Sequence, residues 1–218
     1  MSSKGESTRE KRPAGGRLGA AGLQIAGIAA TNHLLTALLP YLPGYASSTL
    51  AGDLPLFTDP DPVALAQTLL RMAVLPGLIE EVLFRGLLFA LLIRFGGHRL
   101  AILGSALAFG LVHVDPHHIL IAGILGLQLG ALRHFHGLGL AVLAHIANNA
   151  FLLIVRFAAE TGSSPPGWLE SGRISLLLAA AIAGIACAAL VRRERSSPDE
   201  PEPPRSALQT RRGLDESR

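Results

Sequence analysis

The sequence predicts an all-α fold, a polytopic transmembrane helix bundle with about six membrane segments, and three observations lead to this prediction. Of the 218 residues, 50% are hydrophobic and only 16% are charged, whereas soluble domains carry about 25% charged residues. The hydrophobic residues form long stretches with few interruptions. The basic residues lie in the termini and in the short connections between these stretches, which is typical of membrane proteins.

Six hydrophobic stretches are assigned as membrane segments. They cover approximately residues 18–39, 64–93, 100–114, 119–132, 138–158 and 174–191. A helix needs about 20 residues to cross a bilayer core, so the third and fourth are short and must be tilted, extended or shielded by protein. The second would be about 45 Å long as a straight helix, and we therefore expect a kink or break at Pro76.

The Lys and Arg distribution predicts the orientation and the domain organisation. Basic residues precede the first stretch and follow the second, fourth and sixth, whereas the loop at 40–63 contains three Asp and no Lys or Arg. By the positive-inside rule, both termini of this multi-pass cell-membrane protein are predicted to be cytoplasmic. Residues 1–16 and 194–218 are predicted to be disordered tails, flanking a transmembrane domain at 17–193 with a motif-bearing core at 64–158.

Composition also excludes several function classes. The single cysteine, Cys187, rules out an internal disulfide and a CxxC metal or redox site. The sequence pI is about 9.6, but most of the basic residues lie in the tails and connections, so no nucleic-acid partner is expected. Membrane lipid is an expected partner.

The second stretch contains three ionisable residues within six positions: Glu80, Glu81 and Arg85. Each costs about 2.5–3.5 kcal/mol at the bilayer centre, so such residues face a cavity or the bundle interior and mark functional sites. Glu81 and Arg85 have the i,i+4 spacing that favours an ion pair, whereas Glu80 points about 100° away around the helix. We predict a chemical role for Glu80 and an orienting role for the pair. A buried triad that only fixes helix packing is the alternative.

Two further polar patterns lie in other segments. Phe109 and His113 end the third stretch, and His145 and Asn149 share one face of the fifth. Measured from the cytoplasmic ends of their segments, Glu80 and His113 lie about 21 Å deep, and His145 and Asn149 about 12 and 18 Å deep. This similar depth predicts a single polar chamber, although an isolated histidine on an apolar helix is more often a packing residue.

These three motifs, in this order, resemble those of the CAAX protease and bacteriocin-processing (CPBP, or Abi) intramembrane proteases, which include the type II CAAX prenyl endopeptidases. Residues 80–85 match the EExxxR motif, residues 109–113 match FxxxH and residues 145–149 match HxxxN. The resemblance covers roughly residues 64–158. It implies an intramembrane endopeptidase acting on a membrane-anchored peptide or protein, of CAAX type or a peptide precursor.

Carried over to this chain, the resemblance implies that Glu80 and His113 activate a water molecule for attack on a peptide carbonyl. His145 and Asn149 would donate hydrogen bonds to the developing oxyanion. Phe109 joins Glu81 and Arg85 as an orienting residue. A metal-dependent version remains open, in which Glu80, His113 and His145 would supply three ligands to Zn²⁺.

Other interpretations also remain open. A non-catalytic immunity or scaffold protein of the same fold is one. An ion- or proton-coupled transporter is another, although the sequence contains no inverted repeat. His117 and His118 beside Asp115 could bind a metal ion or form a solvated turn. Asn32 and His33 in the first stretch are predicted to mediate helix–helix contacts.

Overall fold

The computed structural model describes residues 14–47, 55–59 and 61–162, and within these ranges every regular element is helical. The helices are α1 (Ala14–Leu38), α2 (Pro62–Leu69), α3 (Leu75–Glu81), α4 (Phe89–Leu111), α5 (Pro116–His136) and α6 (Leu138–Glu160). The predicted all-α fold is therefore confirmed. The predicted sixth segment at 174–191 and the C-terminal tail lie outside the described residues, as does nearly all of the N-terminal tail.

The second predicted segment is one continuous helical stretch, in which two π-helical segments join α2 to α3 and α3 to α4. These segments are Leu70–Val74 and Val82–Leu88. The backbone stays helical through Pro76, and the N–H of Leu75 donates to the carbonyl of Leu70, five residues earlier. A proline lacks an N–H and crowds the preceding turn. The expected break at Pro76 is thus replaced by a wider π-helical turn immediately before it.

Two glycines interrupt α4, and the chain folds back there, because a Cβ at Gly104 would lie 2.8 Å from Leu92 Cδ1. Gly97 has a φ of 70°, and Gly96 also departs from helical dihedral angles, so α4 consists of two helical parts on either side of this turn. A left-handed φ carries little steric penalty for glycine, which has no Cβ. The third predicted segment is therefore the second part of α4, and it ends at Leu111.

Small residues bring the second part of α4 close to α5. A methyl group added at Gly126 would lie 3.0 Å from the Cα of Ala106, and one added at Gly130 would lie 3.3 Å from Ile102. Four residues forward on α5, from Gly126 to Gly130, correspond to four residues back on α4, from Ala106 to Ile102. The two helices are therefore antiparallel. Close backbone approach through small residues is common between membrane helices.

Three helices among the described residues are long and apolar enough to cross a membrane, judged by length and composition. They are Ala21–Tyr41, Pro116–His136 and Leu138–Glu160. Many large hydrophobic side chains on the outer surface are exposed, among them Leu103 at 60% and Leu107 at 62%, as expected where lipid replaces water. These features identify a membrane protein, and the total of six segments stays a prediction.

The interior of the bundle combines an apolar core with buried polar side chains. The core cluster includes Ile28 of α1, Phe109 of α4, Leu129 of α5 and Ala144 of α6. The buried polar and charged residues are Gln24, Asn32, Glu81, Arg85, Ser105, His145 and Asn148. Burying polar groups is costly unless they are hydrogen-bonded. The buried polar residues therefore mark the centre of the bundle as the place to expect a functional site.

Helix α1 packs against α5 and α6. Asn32 Nδ2 donates to Asn148 Oδ1 of α6 at 3.1 Å, and the His33 ring meets Phe151 edge-on, with centroids 6.2 Å apart. The predicted helix–helix contacts of Asn32 and His33 are confirmed.

Candidate active site

A cavity of about 630 Å³ lies among the helices, and its walls include all four residues predicted to carry the chemistry. Glu80 comes from α3, His113 from the turn just after α4, and His145 and Asn149 from α6. Most of the other lining side chains are apolar, so the cavity offers a few polar groups in an apolar surrounding. Such cavities are typical of ligand and substrate sites.

A glycine sets the distance between α3 and α6 beside this cavity. A Cβ at Gly77 would lie 2.7 Å from Ile146 Cγ1 and 3.1 Å from the Ile146 backbone nitrogen. No larger residue fits there without moving α6. Gly77 precedes Glu80 by about one turn, and Ile146 follows His145, so this contact holds the two motif-bearing helices together.

Glu81 and Arg85 form a fully buried ion pair. Arg85 Nη1 lies 2.6 Å from Glu81 Oε1, and both side chains are 0% exposed. Arg85 Nη2 donates to the Gly126 carbonyl of α5 at 3.0 Å, and the guanidinium lies over the Phe109 ring, 4.4 Å from its centroid. Arg85 therefore ties the helix of the first motif to both α4 and α5.

Glu81 also binds His145 of the third motif. The His145 Nδ1 atom lies 3.0 Å from Glu81 Oε1, and because a carboxylate can only accept, Nδ1 carries a hydrogen. The other ring nitrogen, Nε2, lies 3.8 Å from Glu80 Oε2. Glu81 thus orients His145 towards Glu80. The sequence contained no signal for this contact beyond similar depth, because the two residues are 64 positions apart.

Glu80 and Glu81 occupy different environments although they are neighbours in sequence. The Glu80 side chain is 33% exposed, whereas that of Glu81 is 0% exposed. Glu80 borders the cavity and Glu81 faces the buried guanidinium. This separation follows from the 100° rotation between successive helical residues.

The orientation of His113 follows from a bond to its own helix. Its Nδ1 atom lies 2.8 Å from the Phe109 carbonyl, which can only accept, so Nδ1 carries the hydrogen in the neutral ring and Nε2 has the lone pair. Phe109, 1% exposed, contacts the rings of both His113 and His145 edge-on, at 5.2 and 5.6 Å between centroids. Phe109 therefore packs between the two imidazoles.

Asn149 is oriented by a chain of three asparagines. Its Nδ2 lies 3.5 Å from the Met72 carbonyl, its Oδ1 accepts from Asn148 Nδ2 at 3.2 Å, and Asn148 Oδ1 accepts from Asn32. Met72 is four residues before Pro76, whose missing N–H would otherwise pair with this carbonyl. Because the Met72 carbonyl can only accept, the Asn149 amide must donate to it. This fixes which group donates and which accepts in each hydrogen bond of the series. Sequence reasoning missed Asn148, the residue next to Asn149.

The histidines at the start of α5 have separate positions. Asp115 Oδ1 accepts from the backbone N–H groups of His117 and His118 at 2.9 and 3.1 Å, so it caps the helix. His117 Nε2 lies 3.1 Å from the Pro43 carbonyl. His118 instead lines the cavity, its ring 4.2 Å from that of His113 between centroids. His118 was not among the residues predicted for the site.

Glu80, His113 and His145, the three residues considered as zinc ligands, all line the cavity. Within the described ranges, no group of three or more His, Cys, Asp or Glu residues is arranged to hold a metal ion. Glu80 and His145 approach each other to 3.8 Å, but no third ligand joins them. The metal-dependent alternative therefore stays a prediction, and the mechanism proposed for this site uses the side chains alone.

Among the known proteins compared, one family model matches part of the chain. Residues 62–151 match the family model described as type II CAAX prenyl endopeptidase Rce1-like. The matched range contains the cavity residues Glu80, His113, His145 and Asn149 and agrees with the predicted resemblance. No curated protein and no solved structure matches the chain.

Proposed function

From the premise that residues 62–151 form an Rce1-like domain, we propose that this protein is an intramembrane endopeptidase. It hydrolyses a peptide bond of a membrane-associated protein or peptide, of CAAX type or a peptide precursor. The observation that carries the proposal is the approach of Glu80 to His145 at 3.8 Å in a largely apolar cavity that His113 and Asn149 also line.

In the proposed reaction, Glu80 and His113 hold the attacking water. Glu80 takes one water proton, and His113 Nε2 accepts a hydrogen bond from the other. The water oxygen forms a bond to the carbonyl carbon, and the carbonyl oxygen becomes an oxyanion.

The oxyanion is stabilised from α6. Asn149 Nδ2 has two hydrogens, and only one is directed at the Met72 carbonyl, so the other can serve the oxyanion. His145 donates from Nε2, which requires the imidazolium form because Nδ1–H is already bound to Glu81. The C–N bond then breaks, and Glu80 returns its proton to the leaving amine. One donor of this kind contributes about 10²–10³ in rate.

The remaining parts of the proposal concern the whole chain. The protein is a multi-pass protein of the cell membrane, with both termini in the cytoplasm. Its transmembrane domain covers residues 17–193 and is flanked by tails. The three membrane-length helices and the basic residues of the α4 turn support this arrangement.

The test uses purified protein in nanodiscs with membrane-anchored peptides, both prenylated CAAX peptides and unprenylated precursors. We expect cleavage by the wild-type protein and a loss of at least about 100-fold in Glu80→Gln, the scale of general-base catalysis. Asp59→Asn is the matched control, because it makes the same acid-to-amide change on an exposed loop residue. Thermal unfolding shows whether each variant is folded.

Two results would contradict the proposal. Ion flux in liposomes without peptide cleavage would indicate a transporter, and folded protein inactive on every peptide would favour a scaffold or immunity role. Chelation tests the mechanism separately. We expect activity to survive dialysis against EDTA, and loss restored by Zn²⁺ would replace the metal-free mechanism.

A further inference from the structure

One end of the bundle carries a concentrated positive surface. It consists of basic residues around the glycine turn of α4 and in the last turn of α5: Arg94, His98, Arg99, Arg133, His134 and His136. The sequence has no Asp or Glu between Glu81 and Asp115, or between Asp115 and Glu160. The acidic residues Asp59, Asp61, Asp115 and Glu160 lie at the opposite end of the helices.

The packing of α4 against α5 joins these residues into one patch. The antiparallel contacts of Ala106 with Gly126 and Ile102 with Gly130 continue for one more turn to His98 and His134. The centroids of their rings lie 4.3 Å apart. Arg99 follows His98, and Arg133 precedes His134, so each of the two helices places an arginine next to this histidine contact.

The patch is open on its outer side and anchored on its inner side. Arg94, His98, Arg99 and His134 are exposed. Arg133 is less exposed, because its Nε donates to the Arg85 carbonyl at 3.2 Å and its guanidinium lies over Phe89, 5.6 Å from the ring centroid. The N–H of Phe89 donates to the carbonyls of Phe84 and Gly86 in the π-helical segment. Arg133 donates to the Arg85 carbonyl, which lies between those two in the sequence.

Apolar side chains border the positive groups. Phe95 and Leu100, directly beside the glycine turn, are 74% and 41% exposed, and Leu91 is 50% exposed. A free phosphate would bind the positive groups without contacting these apolar side chains. A phospholipid would contact both, because its phosphate accepts hydrogen bonds from Arg and His while its acyl chains cover apolar side chains.

We propose that the patch formed by Arg94, His98, Arg99, Arg133 and His134 binds the phosphate of an anionic phospholipid, with the acyl chains against Phe95 and Leu100. Arg133 links this lipid site to the backbone of the helix that carries the first motif. The proposal does not depend on peptidase activity, and its test measures binding alone.

The experiment is native mass spectrometry of the full chain released from nanodiscs. The nanodiscs contain phosphatidylglycerol or phosphatidylcholine with the same acyl chains. We expect the wild-type protein to retain phosphatidylglycerol preferentially. Arg99→Gln should weaken this binding about fivefold, the effect of one basic residue near an anionic surface.

Arg71→Gln is the matched control. It removes the same charge from an exposed residue about 35 Å from Arg94 along the helical stretch, beyond the reach of screened electrostatics, and should leave lipid retention unchanged. Equal losses in both variants, or equal retention of both lipids, would overturn the proposal. Glycerol phosphate binding that Arg99→Gln removes, without preference for phosphatidylglycerol, would indicate a soluble anion and reject the lipid.

Discussion

The Arg85 guanidinium connects three helices through separate contacts. Nη1 binds Glu81 and Nη2 binds the Gly126 carbonyl, while the plane of the group lies over Phe109. The i,i+4 spacing predicted the first of these contacts, because that rule depends only on helix geometry. It could not predict the other two, which depend on the register between α4 and α5.

Removing this cation should destabilise the fold strongly. In Arg85→Met the Glu81 carboxylate stays buried without its cation, and breaking a buried pair typically costs about 3–5 kcal/mol. We expect a large fall in the melting temperature in detergent. The control is Arg71→Met, which removes an exposed guanidinium and should have little effect. Similar melting temperatures for the two variants would show that the buried pair does not stabilise the protein.

A second prediction concerns the hydrogen bonds that link Asn32, Asn148 and Asn149. Asn32→Leu removes the first link, so Asn149 loses its fixed orientation, and we expect kcat for peptide cleavage to fall about tenfold or more with little change in KM. Gln128→Leu is the control, because Gln128 donates to Thr31 of the same helix at 3.1 Å but does not connect to Asn149. Equal loss of kcat in both variants would mean that Asn32 only holds α1 in place.

At the scale of single helices, hydropathy predicted the helices but not their internal irregularities. The ends of the predicted stretches at 100–114 and 138–158 lie within a few residues of the observed helix ends. Pro76 indicated a disturbance, but a missing N–H does not determine how the backbone accommodates it. The π-helical turn at Leu70–Val74 depends on the Met72 carbonyl and on Asn149 of another helix.

The contact between α4 and α5 gives a prediction for a pair of glycines on one helix. An added methyl at Gly126 would lie 3.0 Å from the Ala106 backbone, whereas one at Gly123 would meet nothing within 4 Å. Gly126→Ala should cost about 1–3 kcal/mol, as overpacking usually does, and lower the melting temperature. Gly123→Ala should be neutral or slightly stabilising because alanine favours helices. The reverse order would contradict the antiparallel register.

At the scale of the whole molecule, the cavity extends beyond the segment that matches the family. Its walls include Asn32, His33 and Thr36 of α1 and Leu152 and Arg156 of α6, all outside residues 62–151. Motif spacing identified the polar residues inside the matched segment. It carried no information about α1, because contacts between segments so far apart in sequence leave no local pattern. The shape of the cavity is thus set partly by α1 and by the end of α6, which lie outside the matched segment.

The two ends of the bundle are predicted to be accessible from opposite sides of the membrane. His98 and His134 lie together at one end, while Thr58 lies at the other, because the neighbouring Leu56 and Phe57 donate to Glu160 at the end of α6. A helix of the length of α6 is about 35 Å long, enough to separate these ends by a bilayer core.

Single cysteines test this arrangement in a Cys187→Ser background. Because the positive residues of the α4 turn favour the cytoplasm, a membrane-impermeant maleimide should label Thr58→Cys in intact cells. His98→Cys should react only after permeabilisation, and Arg99→Cys, next to it on the same exposed turn, should behave in the same way. Labelling of His98→Cys but not Thr58→Cys in intact cells would invert the orientation. Labelling of both would mean that the two ends do not lie on opposite sides of a membrane.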